Sequence, residues 1–378
     1  MKNLFILFLA VIFSSHFFLN QTDKISADSD STSSVTISFV GDLMCHSPQF
    51  EFAHVSKDSF DFKPVFREVK KHLIKADLTI GNLETTISGK ESRYNGYPLF
   101  NSPDEYLVAL KDAGFDILLT ANNHSLDRGK KGILRTLEII KNYGMESIGS
   151  YHSQKDRDSI RVFDINGIKI AIFAYTYGLN GNYIAKNEKY LVNVIDTTLM
   201  KQDILNARNR NADLVFVYFH FGDEYQRKPN SYQKEIVKRA IEYGADFIIG
   251  SHPHVIQPME YFRSNKNKIG EGFIAYSLGN FISNQRWRYS DGGLILNLTI
   301  TKNILTSVVK LTNETIIPTW VFKGKINNKN QFVILPADST TINSIPNYLT
   351  ESDKIKFLQS EKDTRKIMGT IQYYSKNH

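Results

Sequence analysis

Two histidines separated by one residue form the strongest chemical signal in the sequence. His252 and His254 follow the largely apolar run at 245–249 and flank Pro253, so the predicted strand ends where the two imidazoles begin. Neutral imidazole is a favoured ligand of divalent transition metals, and two imidazoles on one turn can face the same space. The pattern alone also fits two partly buried, hydrogen-bonded histidines that bind nothing. The choice between these interpretations therefore depends on the rest of the chain.

Polar side chains of the metal-ligand type recur at the ends of four other predicted strands. Strands that alternate with helices indicate a largely parallel sheet, in which ligand sites form beyond the carboxyl ends of the strands. Such a recurrence is hard to explain as core or as solvated surface, so we expect one shared site. The strands and their polar residues are 35–40 with Asp42, 78–80 with Glu84, 115–120 with Asn123 and His124, and 214–219 with His220.

These side chains would offer carboxylate, amide and imidazole ligands without any thiolate. A mixed set of oxygen and nitrogen ligands suits Mn, Fe or Zn better than Ca or Mg. The seven candidate groups exceed what one four-coordinate ion needs. A pair of ions about 3.5–4 Å apart, bridged by one carboxylate, would use them, and such a pair generates a hydroxide nucleophile and stabilises a phosphoryl or similar centre. The sequence therefore predicts one or two divalent metal ions.

Composition and local patterns indicate a globular protein built around that sheet. The 378 residues are 42% hydrophobic and include 25 Phe and 19 Tyr, which suits a well-filled core in one large or two ordinary domains. Helices are predicted after an N-cap at Ser102 and at 133–143 and 232–243. The Asn-Gly pair at 166–167 predicts a hairpin turn. Alternating runs at 294–300, 305–311 and 315–323 predict antiparallel strands that complete the sheet system.

The first 27 residues differ from the rest of the chain. Lys2, the apolar run at 4–13 and the small residues at 25–27 match a secretory signal peptide, although 17–19 could extend the run into an uncleaved anchor. We therefore expect an exported protein of the cell envelope, periplasmic or extracellular. The predicted organisation is a signal peptide or anchor at 1–27, a linker at 28–34, a main domain at 35–323 and a peripheral extension at 324–378.

The net charge indicates which partners the protein could bind, and the cysteine content indicates what stabilises the fold. The single cysteine, Cys45, excludes an intrachain disulfide, so the core must hold the fold. The net charge of +7 suits contact with anionic polymers, although charge spread along the chain also describes a solvated surface. The basic and aromatic run at 286–289 has the same two interpretations, an anion-binding segment or a surface loop. No nucleic-acid partner is predicted.

Six motifs in chain order resemble the CapA family, the poly-gamma-glutamate capsule synthesis proteins. The resemblance runs from about residue 35 to about residue 323. That family is related to the calcineurin-like metallophosphoesterases. The resemblance therefore implies an α/β (α+β) fold with a four-layer αββα sandwich. The motifs are Gly-Asp-Leu-Met at 41–44, Asn-Leu-Glu at 82–84, Ala-Asn-Asn-His-Ser-Leu-Asp at 121–127, His-Phe-Gly-Asp-Glu-Tyr at 220–225, Gly-Ser-His-Pro-His-Val at 250–255 and Tyr-Ser-Leu-Gly-Asn-Phe at 276–281.

The resemblance also implies a role for each candidate residue. His124 matches the histidine that serves as general acid or substrate contact. The phosphoesterase motif D-x-H reads Asp-Leu-Met here, so His46 is the candidate for an additional metal or substrate contact. The implied metal ligands are Asp42 at the first metal, Glu84 as the bridging carboxylate, Asn123 as the amide ligand, and His220, His252 and His254 as the later ligands.

Three functions remain open at this level. The first is an exported metal-dependent hydrolase that acts in the synthesis, release or attachment of an anionic capsule polymer such as poly-gamma-glutamate. The second is a general secreted phosphoesterase that acts on phosphate esters. The third is a non-catalytic accessory subunit of a membrane polymer synthase, which the missing D-x-H histidine favours. Retention of the other candidate ligands favours a catalytic function.

Overall fold

The protein is built on two mixed β-sheets that pack face to face between layers of helices. The computed structural model describes residues 31–369 and 371–374. The predicted signal segment at 1–27 lies outside the described residues. Among the described residues, no helix is long and apolar enough to cross a membrane.

The strands, in chain order, are β1 (Thr32–Leu43), β2 (His54–Ser56), β3 (Ser59–Phe60), β4 (Leu78–Leu83), β5 (Ile117–Leu119), β6 (Glu146–Ile148), β7 (Val162–Ile165), β8 (Ile168–Thr176), β9 (Leu214–His220), β10 (Phe247–Ser251), β11 (Met259–Arg263), β12 (Glu271–Ala275), β13 (Asn280–Ile282), β14 (Gly292–Asn303), β15 (Val309–Ile326), β16 (Lys329–Pro336) and β17 (Gln372–Tyr373). The α-helices are α1 (Ser47–Ala53), α2 (Lys63–Phe66), α3 (Lys70–Leu73), α4 (Glu105–Ala113), α5 (Gly129–Asn142), α6 (Gln154–Asp158), α7 (Thr197–Asn209), α8 (Ser231–Tyr243), α9 (Ser339–Asn343) and α10 (Glu351–Met368). Short 3₁₀ helices lie at Lys90–Ser92 and Lys186–Leu191.

Strand order places the predicted parallel strands in one half of the first sheet and at the middle of the second. The first sheet has the order β16-β15-β14-β1-β4-β5-β6, with β13 paired to the end of β1, and the second has the order β17-β11-β12-β10-β9-β8-β7. β1, β4, β5 and β6 run parallel, as do β8, β9, β10 and β12. β14 and β15 add antiparallel strands to the first sheet. The carboxyl ends of the parallel strands therefore form one edge in each sheet.

Burial on both faces explains why the central strands read as continuous apolar runs. Between the sheets, Phe39 of β1 stacks on Phe216 of β9 with ring centroids 5.4 Å apart. Val40 and Leu118 face outward, where they join a second core beneath α1 to α4. A third core packs α7 and α8 on the outer face of the second sheet. The layers are helix, sheet, sheet and helix, so the predicted αββα sandwich is confirmed.

Of the local predictions, the hairpin turn is confirmed and one helix N-cap is wrong. Asn166 and Gly167 join β7 to β8 with φ values of 53° and 76°, as a two-residue hairpin requires. The predicted N-cap at Ser102 is wrong, because α4 begins at Glu105 after Asp104. The Ser102 hydroxyl instead lies 2.7 Å from the hydroxyl of Thr85.

The structure corrects the predicted boundaries at both ends of the main domain. β1 begins at Thr32, inside the predicted linker, because it pairs with β14 up to Asn303. The runs at 305–311 and 315–323 are not two strands: residues 309–326 form the single long strand β15. β16 then pairs along β15 and buries Phe332 in the outer core, so the sheet extends past residue 323 into the predicted peripheral extension.

The final long helix, α10, packs against the outer part of the first sheet. Its Phe357 is fully buried, and the ring lies edge-on to Trp320 of β15 with centroids 6.1 Å apart. Leu349, just before the helix, belongs to the same cluster. This helix is therefore part of the folded unit.

Truncating Phe357 tests this packing. Phe357→Ala should lower the free energy of unfolding by about 3–5 kcal/mol, because removal of a buried ring leaves a cavity beside Trp320. Leu358→Ala is the matched control, since its neighbouring side chain is 40% exposed and should cost much less. Urea unfolding followed by tryptophan fluorescence measures both changes. Equal losses for the two variants would contradict the described packing.

Candidate metal centre

Strand ends from both sheets meet in one buried cluster that contains all the predicted ligands. β1, β4 and the turn after β5 supply residues from the first sheet, whereas β9 and the turn after β10 supply residues from the second. None of these residues is more than 4% exposed. They are Asp42, Glu84, Asn123, His124, His220, His252 and His254.

Glycine allows β1 to carry Asp42 into this cluster. The Asp42 amide donates to the carbonyl of Gly279 at 3.0 Å, which brings the two backbones together. A Cβ on Gly41 would lie 1.9 Å from that carbonyl oxygen. Only glycine fits at this close approach. The Tyr-Ser-Leu-Gly-Asn-Phe motif therefore acts through its backbone, since β13, which begins at Asn280, pairs with the end of β1.

The turn after β10 holds its two histidines in an unusual backbone conformation. His252 and His254 have φ values of 99° and 58°, which L-residues seldom adopt. Each such residue costs on the order of 1–3 kcal/mol and persists only where its surroundings fix it. A hydrogen bond of 2.7 Å from the Tyr225 amide to the Pro253 carbonyl ties this turn to the loop after β9. Strain concentrated at two candidate ligands is typical of a functional site.

The ligand atoms fall into two groups that share Glu84. One group contains Asp42, Glu84 and His254, and the other contains Glu84, His220 and His252, with the ligand atoms of each group within 4.8 Å of one another. Asn123 adds its amide oxygen, 2.8 Å from Nε2 of His220, to the second group. The position predicted for a bridging carboxylate is thus the one that joins the two groups.

The electrostatics of the cluster fit a bound cation. Burial and then the charge of Asp42 raise the pKa of Glu84 well above its usual value, and its Oε1 has no hydrogen-bond partner. Burial, followed by the nearby His254, lowers the pKa of His252 to about 3. Burial and His252 likewise hold the pKa of His220 well below its usual value. Neutral imidazoles beside two carboxylates form a donor set that suits a divalent ion.

The pKa of Asp42, which lies beside His254, is shifted in the opposite direction to that of Glu84. Burial raises the pKa of Asp42, but its hydrogen bond with His254, helped by the other imidazole nearby and by the hydrogen bond from Asn82, outweighs burial, so the net shift is downward. The Asp42 Oδ2 atom lies 3.0 Å from Nδ1 of His254. The ionised form is therefore favoured at Asp42 in this pair, whereas Glu84 would need a nearby cation to favour its ionised form.

Two asparagines behind the carboxylates were missed by the sequence reasoning. The Asn82 amide donates to Oδ1 of Asp42 at 2.8 Å and lies 3.4 Å from Glu84 and 3.3 Å from His220. The side-chain amide of Asn122 in turn donates to the side-chain oxygen Oδ1 of Asn82 at 3.1 Å. Asn82 lies two residues before Glu84 in a strand, so the alternation of side chains could have placed both on one face. Buried partners of this kind orient metal ligands.

His124 is held by a carboxylate that was also missed. Its Nδ1 lies 2.8 Å from Oδ2 of Asp127, which also accepts the Phe100 amide at 2.7 Å. The Phe100 ring stands edge-on to the imidazole with centroids 4.7 Å apart. Because Asp127 takes the Nδ1 hydrogen, Nε2 is the atom left for contact with a substrate. His124 belongs to neither group of ligand atoms described above.

Two further segments border the cluster. Glu224, an exposed residue, has a carboxylate oxygen within 4.8 Å of ring nitrogens of His252 and His254. The Tyr177 ring packs against His252 with centroids 4.5 Å apart. Asn180, from the same loop as Tyr177, accepts a hydrogen bond from the Asn123 amide at 3.1 Å. Glu224 belongs to the motif at 220–225, whereas Tyr177 and Asn180 gave no pattern in the sequence, because only the fold brings their loop to this edge.

His46 lies nearby but joins no group of metal-ligand atoms among the described residues. Its Nδ1 accepts from the Asn284 amide at 3.3 Å and lies 3.2 Å from Gln49 Oε1. Met44, which stands where D-x-H would have a histidine, is buried and receives a hydrogen bond from Ser283 at 3.6 Å. Burial raises the pKa of the Cys45 thiol to about 12, and Cys45 joins none of the groups of ligand atoms in the described part of the chain.

Comparison with known proteins places the chain in a family. The sequence profile of the family described as "Bacterial capsule synthesis protein PGA_cap" matches residues 36–285. The chain belongs to this family. It is similar to "Capsule biosynthesis protein CapA" of Bacillus anthracis, with 32% identity over 269 residues that cover 69% of this chain and 63% of the relative. It is also similar to "PGA biosynthesis protein CapA" of Bacillus subtilis (strain 168), with 28% identity over 286 residues that cover 75% of this chain and 72% of that relative.

Two solved structures have a similar fold at low sequence identity. A putative 5'-nucleotidase from Staphylococcus aureus, in complex with alpha-ketoglutarate, aligns with a TM-score of 0.47 and 12% identity over 87% of this chain and 58% of that one. The calcineurin-like phosphoesterase YfkN from Bacillus subtilis aligns with a TM-score of 0.45 and 12% identity over 89% of this chain and 99% of that one. Both likenesses concern the fold alone. This chain spans 63% of the length of the Bacillus anthracis relative, less than two thirds.

Glu84 provides the sharpest test of the metal centre. Glu84→Gln should reduce affinity for divalent metal by at least roughly 100-fold, because it removes the carboxylate that both groups share and the effect should exceed that of losing a supporting residue. Metal content of purified protein, measured by mass spectrometry, reports the change. Glu51→Gln, an exposed residue of α1, is the control. Unchanged metal content in Glu84→Gln would reject the assignment.

Proposed function

We propose that this protein acts in the synthesis, release or attachment of an anionic capsule polymer such as poly-gamma-glutamate, as a metal-dependent hydrolase. The observation that carries the proposal is the pair of ligand groups joined by Glu84, in a chain that belongs to a capsule synthesis family. The relatives named for capsule and PGA biosynthesis support the polymer as substrate class. Mn, Fe and Zn are the metals that this set of carboxylate, amide and imidazole groups favours.

The proposed mechanism divides the work among the residues of the cluster. Asp42, Glu84 and His254 would hold one ion, and Glu84, Asn123, His220 and His252 the other. Bound ions would supply activation of water and stabilisation of negative charge. Asn82 fixes Asp42, and through it the first group, by its hydrogen bond of 2.8 Å.

His124 is the proposed catalytic residue. Asp127 holds its Nδ1 at 2.8 Å, so Nε2 is free to give a proton to the leaving group or to stabilise charge on the substrate. The Phe100 ring beside the imidazole limits the access of water. This arrangement lets one imidazole act on the substrate without acting as a metal ligand.

One observation favours a non-catalytic alternative. The sequence has Met44 where the motif D-x-H has a histidine, and the first group has three donors, whereas Asn123 gives the second group four. An accessory subunit of a membrane polymer synthase would retain the fold and one structural ion. Hydrolysis and polymer production therefore have to be measured separately.

His124→Gln separates the hydrolase from the accessory subunit. We expect metal content to stay unchanged while hydrolysis of a gamma-linked glutamate polymer falls by roughly 10²- to 10⁴-fold, the usual contribution of a positioned acid or base. The control is His152→Gln, an exposed histidine away from the cluster. A parallel loss of metal would show that His124 acts through the ions. Normal polymer levels in cells, together with a wild type that hydrolyses nothing offered, would favour the accessory subunit.

We also propose that the protein is exported, anchored or released at the cell envelope, where it would meet polymer and membrane synthase subunits. The apolar segment at 4–13 supports this location. Cell fractionation with an antibody to the folded part should recover the protein outside the cytoplasm. Full-length protein confined to the cytoplasmic fraction would contradict export.

A further inference from the structure

A cavity of about 210 Å³ lies outside the metal centre, between α10 and the loop that joins β13 to β14. Its wall contains the guanidinium groups of Arg227, Arg286 and Arg288 and the ring of Tyr289. Three of these four residues come from the basic and aromatic run that had two interpretations in the sequence. The fold adds Arg227 to that run from the loop after β9. A surface loop without function would not require this convergence.

The three arginines differ in their partners. Arg288 donates to both carboxylate oxygens of Asp363 in α10 at 2.8 Å, so its charge is matched. Arg227 lies over the Tyr289 ring at 4.0 Å and donates to the Asp363 carbonyl oxygen at 3.3 Å. Arg286 donates to the carbonyl oxygen of Val321. Within the described part of the chain, no carboxylate lies within 4.0 Å of a side-chain nitrogen of Arg227 or Arg286.

The cavity is consequently electropositive. Asp363 is matched by Arg288, and Asp291, the other carboxylate of the wall, accepts the Trp320 indole hydrogen at 2.8 Å. Burial lowers the pKa of Arg286, against the opposing effect of Asp291. A desolvated guanidinium gains most from a bound carboxylate or phosphate, since its planar fork can donate two parallel hydrogen bonds.

Exposed aromatic rings connect the cavity to the metal centre. The Tyr225 ring lies 6.0 Å from the His254 ring and 5.0 Å from the Trp287 ring. Tyr225 and Trp287 are 40% and 50% exposed. Gln285 donates to the Tyr225 hydroxyl at 3.2 Å and so fixes the two loops against each other. Such rings can cover the methylene groups of a chain that runs from one site to the other.

We propose that this cavity binds a carboxylate of the same anionic chain whose reacting bond lies at the metal centre. The inference rests on the proposed function and adds to it a second contact with the substrate. A polymer with one carboxylate per residue would present such a group at regular intervals. The cavity would bind one carboxylate while the reacting bond of the same polymer lies at the metal centre. Arg227 and Arg286 supply the charge, and Tyr225 and Trp287 form the surface between the sites.

Binding of a gamma-linked glutamate decamer to the full chain tests the proposal. Arg227→Gln should weaken binding roughly tenfold or more, because it removes a charge-assisted contact. Arg286→Lys should also weaken binding, since lysine keeps the charge but loses the planar fork. Lys228→Gln is the control, because this exposed neighbour carries the same charge but does not line the cavity. Equal affinity of Arg227→Gln and the wild type would overturn the proposal.

Two further measurements separate this proposal from the proposed hydrolase. In a variant with both His252→Ala and His254→Ala, the decamer should still bind and should still lose affinity when Arg227→Gln is added. That result supports the cavity even if the protein hydrolyses nothing. Inorganic phosphate is the second probe: if it binds in an Arg227-dependent manner more tightly than the decamer, the cavity takes phosphate and the assignment to carboxylate is wrong.

Discussion

The arrangement of the site depends on the buried contact between Asp42 and Glu84. Both carboxylates are fully buried, and the charge of one raises the pKa of the other. Two such groups cannot remain ionised together in a low-dielectric interior without compensation. Burial holds the pKa values of His220 and His252 below their usual value, so these two imidazoles do not provide the missing charge. A bound divalent cation would remove this conflict, which supports the candidate metal centre.

This constraint explains why the site spans two sheets. Asp42 and Glu84 come from the first sheet, whereas His220 and His254 come from the second. The distances between them, such as 3.0 Å from Asp42 to His254, depend on how the sheets pack. The apolar core between the sheets therefore fixes the geometry of the site as well as contributing stability. Asn82 then sets the orientation of Asp42 within that frame.

The ligands could be predicted from the sequence because each follows a buried run that marks a strand end. The supporting residues could not all be found in this way. Asn82 lies within a strand, where an asparagine can be explained by many local causes, and Asp127 reaches His124 only through the turn that follows β5. β16 was missed, although residues 332–335 form a continuous apolar run of the kind that predicts a buried strand. Arg288 and Asp363 are 75 residues apart, and no local signal pairs them.

The same frame fixes the distance between the metal centre and the arginine cavity. Asn280 is the register partner of Asp42 at the end of β1. Its amide donates at 2.8 Å both to Gln285 and to the Ser290 carbonyl oxygen, so it holds the two ends of the loop that carries the arginines. The far wall of the cavity is held independently, because Arg288 binds Asp363 of α10. A chain that occupies both sites would therefore meet two anchors that are already in place, and little of its binding free energy would be spent on ordering the protein.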